Sequence, residues 1–107
     1  MKFGLLHARE IAYLAQANGI GLMIGGMIES SLAATAAAHF AAGLKFFEYI
    51  DLDSPFFIKE EVSRNPYLNP RGVYDVRSVQ SGIGIIPPRV EIPGRSGWIF
   101  KFLNSIK

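Results

Sequence analysis

MIGGMIESSLAATAAAHFAAGLKFFEYIDLDSP, residues Met23 to Pro55, is the stretch whose reading decides the fold. Its two ends are short and apolar, and its middle is an alanine run opened by two serines. That order reads as strand, helix, strand. Ser30 or Ser31 can cap the helix, because a serine oxygen accepts a hydrogen bond from the first unpaired amides. The alanines at 33, 34, 36, 37, 38, 41 and 42 favour helix and let it lie close on a sheet, with Gly43 as the expected stop. Phe47 to Leu52 reads as the second strand. Side chains at i and i+2 of a strand point the same way, so Asp51 and Asp53 are expected to project together from its end, just before a helix-incompatible Ser54-Pro55. In strand-helix-strand units the carboxyl ends of the strands are where ligands bind, which makes this pair the first candidate for a site.

The same logic extends towards the N-terminus. Leu6 to Asn18 places Ala8, Ile11, Ala12 and Ala15 at helical spacing, with Arg9, Tyr13 and Gln16 on the other side. Asn18-Gly19 is a good helix stop, since glycine takes the left-handed conformation cheaply. Ile20 to Gly25 is apolar without alternation, as expected of a parallel strand covered on both faces. Helix, strand, helix and strand with short connections predict α/β architecture and a parallel sheet.

After Pro55 the character changes. Five of the six prolines lie beyond residue 59, with Gly72, Gly82, Gly84, Gly94 and Gly97 between short apolar pieces at 73–74, 83–86, 90–92 and 98–103. An irregular tail with short β segments is expected there, not a second core. The organisation is therefore read as residues 1–58, an α/β segment, and 59–107, a tail.

Composition narrows the function. The chain has 107 residues, 50% of them hydrophobic and 19% charged, with net charge +2. That suits one ordered domain at most. Lysines and arginines never cluster, which argues against nucleic acid. No cysteine is present, so disulfides, thiolate metal sites and cysteine nucleophiles are excluded, and a reducing, cytoplasmic setting is expected. Residues 19–44 are interrupted by Glu29, Ser30, Ser31 and His39 and owe much of their apolar content to Ala and Gly, so a membrane hairpin is disfavoured. Gly19-x-Gly21 precedes a strand, and Gly82-x-Gly84 leads into Pro87-Pro88 rather than a helix, so neither cradles phosphate. The aromatics at 46, 47, 49, 56 and 57 are read as core rather than as a base-stacking platform.

Taken together, GGMIES at 25–30, TAAAHFAA at 35–42 and DLDSP at 51–55 resemble the last quarter of an enolase-superfamily barrel. The similarity is greatest to the dipeptide epimerases of its mandelate racemase/muconate lactonizing branch. Asp-x-Asp is the most specific element, and Ser81 to Ile85 resembles a late Pro-Gly-Leu-Gly segment of the family. The resemblance implies a C-terminal fragment of a (β/α)₈ TIM barrel: sixth helix, seventh strand, seventh helix, eighth strand, then a tail packing toward a capping domain. It also implies an Mg²⁺-dependent racemase or epimerase acting on a dipeptide by proton abstraction α to a carbonyl. Asp51 and Asp53 match the pair that holds the substrate's α-ammonium, and Gly26, Met27 and Ile28 the segment near its carboxylate. Paired carboxylates favour a cation, and backbone donors an anion.

The family's metal ligands and first lysines lie on earlier strands with no counterpart here. Met1-Lys2 falls at the end of its Lys-Leu-Met-Lys-like sequence, so the opposing lysine would precede Met1 and Lys2 is not assigned. The expectation is thus a truncated or split chain with substrate-binding residues, no catalytic residue, no metal ligand and no activity alone. A complementing chain, or self-association through open barrel edges, is expected to cover it. The competing class is a non-catalytic ligand-binding or scaffold module. On residue type alone, the aspartates before a proline could form a solvated turn instead of a site. His39 is read as structural, and Glu29 either reaches the barrel mouth or favours the helix N-terminus.

Overall fold

A computed structural model of the chain describes residues 4–58 and 65–86. The element order is α1 (Gly4–Ala17), β1 (Leu22–Gly25), α2 (Ser31–Leu44), β2 (Phe47–Asp51) and a single 3₁₀ turn, Ser54–Phe57. The strands form a parallel two-stranded sheet pairing Leu22 with Phe47, Met23 with Tyr49, Ile24 with Ile50 and Gly25 with Asp51. The α/β reading and its four principal elements therefore stand.

Local signals explain the boundaries. Gly19 adopts φ +65°, and the Ile20 amide donates to the Ala15 carbonyl at 2.9 Å, closing α1. The Ser30 hydroxyl accepts from the Ala33 amide at 3.4 Å and opens α2. The end of α2 differs from expectation. Gly43 stays helical, and Lys45 takes the left-handed turn at φ 58°, its amide bonded to the Ala41 carbonyl at 3.0 Å. Ser54-Pro55 departs too, since the proline sits in the first turn of the 3₁₀ segment. There its missing amide would have had no helical partner anyway.

The core lies between α2 and one face of the sheet. Ile24 and Leu52 pack on Ala37, Ala38 and Ala41, with Phe40, Phe47, Tyr74 and Val76 around them. Small residues on α2 allow this close approach. Other strand residues are another matter: Met23 and Tyr49, paired on one face, are exposed, as are Ile50 on the side of Ile24 and Phe56 and Phe57 beyond the strand. The expectation of strands covered on both faces, with their aromatics as core, is corrected on this point. Only Phe46 and Phe47 of the five aromatics are half-buried; Phe46 meets Tyr13 edge-on at 5.4 Å and Phe47 lies 5.8 Å from Phe40. A strand buries both faces only when other elements lie against both; among the described residues Met23 and Tyr49 stay exposed on one face, and α2 leaves Ile50 exposed on the other. On α1, Ala12 and Ala15 are buried as read, but Ile11 is 49% exposed.

The tail, where described, folds back on this unit. An isolated antiparallel bridge joins Leu68 and Tyr74, short of the β segments expected. The Asn65 side-chain amide donates to the Thr35 hydroxyl at 3.0 Å, and His39 Nε2 meets the Ile83 carbonyl at 3.1 Å. His39 thus sits where its structural reading placed it. The Tyr67 hydroxyl donates to the Gly84 carbonyl at 3.0 Å. The apolar pieces at 90–92 and 98–103, like Lys2, lie outside the described residues. No helix among the described residues is long and apolar enough to cross a membrane.

Candidate functional site at the strand ends

Parallel pairing brings the carboxyl ends of β1 and β2 side by side, and two further bonds lace the loops that leave them. The Gly26 amide donates to the Asp51 carbonyl at 3.0 Å. The Ser54 hydroxyl, itself buried, donates to the Met27 carbonyl. Gly26 suits this approach: a Cβ there would stand 3.0 Å from Ser54 Oγ, so the serine would have to give by a few tenths of an ångström. The segment 26–28 and the Asp51-Leu52-Asp53 segment, far apart in sequence, thus form one surface.

Asp51 and Asp53 are exposed on either side of buried Leu52. One detail differs from expectation. The strand ends at Asp51, so Asp53 lies beyond it with φ −86° and ψ −5°, at the head of the 3₁₀ turn. Its carboxylate makes no cap hydrogen bond to that turn and remains open to a ligand. The relative placement of the two carboxylates is therefore set by the Leu52–Asp53 peptide and not by strand alternation alone. Met27 and Ile28 are 78% and 86% exposed, leaving apolar side chains bare beside the pair. Glu29 is half-buried, its carboxylate folded back over Gly26.

Such a surface can bind a cation through two carboxylates and an apolar group through Met27 and Ile28. Among the described residues no three His, Cys, Asp or Glu side chains converge to hold a metal ion. The described residues therefore offer no site for Mg²⁺. Sequence reasoning missed Ser54 and Tyr74, whose hydroxyls hold the Met27 and Leu52 carbonyls. A serine next to a proline and a tyrosine in an irregular tail carry no signal that would have singled them out.

Known proteins share this stretch. A hydrophobic dipeptide epimerase of Citrifermentans bemidjiense is 52% identical over 87 residues, covering 81% of this chain and 24% of that protein. A mandelate racemase/muconate lactonizing enzyme from Roseiflexus sp. superposes with TM-score 0.73 at 40% identity, covering 78% of this chain and 24% of its own. The chain belongs to the enolase superfamily. An L-Ala-D/L-Glu epimerase of Thermotoga maritima is 46% identical over 68 residues, 64% of this enolase-superfamily chain and 20% of the relative. The substrate-liganded L-Ala-D/L-Glu epimerase of Bacillus subtilis superposes with TM-score 0.54 at 41% identity, covering 57% of this chain and 17% of its own. No family model matches the sequence. The chain spans about a quarter of the length of the first of these relatives and matches the C-terminal part of such enzymes.

Proposed function

We propose that the chain is the C-terminal barrel segment of a dipeptide epimerase and supplies substrate recognition to it. In that reading α1 is the sixth helix, β1 the seventh strand, α2 the seventh helix and β2 the eighth strand. The observation that carries it is the pair of exposed carboxylates beside the laced 26–28 loop, at the carboxyl end of a parallel strand pair. Asp51 and Asp53 hold the α-ammonium of a dipeptide, and Gly26, Met27 and Ile28 face the rest of it. Epimerisation is exchange of the proton α to a carbonyl; Mg²⁺, held by residues not identified on this chain, would supply Lewis-acid stabilisation in a whole enzyme of this kind.

This chain contributes binding, and the groups that move the proton are not identified on it. Alone it is therefore inactive. The exposed sheet face and open strand edges suit a complementing chain or a second copy.

The purified chain, incubated with L-Ala-L-Glu and Mg²⁺ in D₂O, should incorporate no deuterium at the α-carbon. It should bind the dipeptide, and Asp51→Ala should abolish that binding. Turnover by the isolated chain would overturn the assignment of binding without chemistry. Undiminished binding by Asp51→Ala would remove the carboxylate pair from the site.

A further inference from the structure

The three consecutive carbonyls of Asp51, Leu52 and Asp53 are each held by a different element. The Asp51 carbonyl accepts from the Gly26 amide of the β1 loop at 3.0 Å, and the Asp53 carbonyl from the Phe56 amide of the 3₁₀ turn at 2.9 Å. The middle one, on Leu52, accepts from the Tyr74 hydroxyl at 3.1 Å, from a residue 22 positions away in the tail. We propose that Tyr74 is a positioning residue for the carboxylate pair, so that the tail sets the geometry with which the strand end receives an ammonium group. The inference rests on the substrate reading given above.

The physical argument is the planarity of the peptide unit. The Leu52 carbonyl and the Asp53 amide lie in one rigid plane. A hydrogen bond that fixes the carbonyl direction also fixes ψ of Leu52, and the bond from the Phe56 amide to the Asp53 carbonyl restrains φ of Asp53. Those are the rotations that would swing the Asp53 carboxylate relative to Asp51, because Asp53 lies outside the strand ladder. Leu52 itself is buried and cannot move to compensate.

Tyr74 is well placed for this role, since it is itself fixed. Its ring packs on the core beside Val76, and its backbone bridges to Leu68. The neighbouring Asp75 amide donates to the Tyr67 carbonyl at 2.8 Å, and Asn65 ties the start of the segment to Thr35. The hydroxyl is thus a strut anchored at both ends, not a mobile side chain that happens to reach the strand.

A ring that only filled the core would act through packing, and the test separates the two roles. Tyr74→Phe keeps the ring and removes the hydroxyl, whereas Val76→Ala removes packing from the same cluster and keeps the hydroxyl. Without ligand, the Asp51 and Asp53 carboxyl ¹³C signals and the Asp53 amide should move in Tyr74→Phe and stay in place in Val76→Ala. With ligand, the affinity ratio of L-Ala-L-Glu to N-acetyl-L-Ala-L-Glu should fall about tenfold in Tyr74→Phe and hold in Val76→Ala.

An ester linkage between Leu52 and Asp53 weakens the carbonyl as an acceptor without touching Tyr74, and should reproduce the ¹³C signature. Unmoved signals in Tyr74→Phe or in the ester, or equal movement in Val76→Ala, would overturn the proposal. If the unmodified chain binds neither peptide, the substrate reading fails while the ligand-free arm still decides the positioning role.

Discussion

Replacing Gly84 by alanine should loosen the tail from the α/β unit while leaving that unit intact. Gly84 sits at φ +79°, and a Cβ built there would stand 2.5 Å from the Tyr67 hydroxyl oxygen, 2.8 Å from Cζ and 2.9 Å from Cε2. Holding an alanine in left-handed geometry costs about 1–2 kcal/mol. The Tyr67 ring must also swing aside, which breaks its hydrogen bond to the Gly84 carbonyl at 3.0 Å and forfeits about 0.5–1.5 kcal/mol. Together these give about 1.5–3.5 kcal/mol, or a roughly 10- to 400-fold rise in local opening.

Gly82 provides the control. It has φ +59° but open space where its Cβ would go, so Gly82→Ala should cost only the backbone part, about 1–2 kcal/mol. Native-state exchange of the Asp75 amide, which donates to the Tyr67 carbonyl at 2.8 Å, measures both, with amides of α2 as the internal reference. Placing Gly84→Ala in a Tyr67→Ala background should bring its effect down to that of Gly82→Ala, since the clashing ring is gone. Equal acceleration by Gly82→Ala and Gly84→Ala, or no relief on removing Tyr67, would refute the reasoning.

Three further outcomes are expected. Thr35 is fully buried and its hydroxyl accepts from Asn65, so Thr35→Val should lower stability by about 1–3 kcal/mol in urea unfolding and shift the Asn65 side-chain amide signals. Three hydrogen bonds from Arg77, two from its guanidinium and one from its backbone amide, hold the Asp75 carboxyl at about 2, below its ordinary value of 3.8. Its contribution is therefore present above pH 3.8 and lost as pH falls through about 2, and Arg77→Gln should return the ¹³C titration midpoint towards 3.8. Tyr49 is 67% exposed beside Met23 on the uncovered sheet face, so Tyr49→Lys should reduce self-association in sedimentation without lowering the melting temperature; unchanged association would place the contact elsewhere.

Much of the local structure is legible in residue types. Asn18-Gly19 and Ser30 mark helix ends because their conformational and hydrogen-bonding preferences act within a few residues. The alanine run marks a helix that packs closely. Signals of that kind failed where two residues compete for one role: Gly43 carries the glycine expected at a helix end, but Lys45 takes the left-handed turn. Ser54-Pro55 looked like an end to regular structure and instead begins a 3₁₀ turn, because proline costs nothing where no helical amide bond is due.

The candidate site divides in the same way. Asp51 and Asp53 could be singled out in the sequence as an acidic pair at the end of a strand, although Asp53 lies beyond the strand rather than in its alternation. Gly26 to Ile28 entered through family resemblance. Their meeting was decided by the parallel register that sets Gly25 beside Asp51 and by the bonds from Gly26 and Ser54 that lace the two loops. The grip of Tyr74 on the Leu52 carbonyl lay beyond reach of the sequence altogether. A hydroxyl 22 residues away carries no local mark of its partner, since a contact of that span exists only once strand, helix and tail have packed. The sequence by itself determined the α/β order, the stop of α1, the N-cap of α2 and the acidic pair. The tertiary structure alone decided how that pair is held, because peptide-plane orientation at a strand end is fixed by partners that only folding brings near.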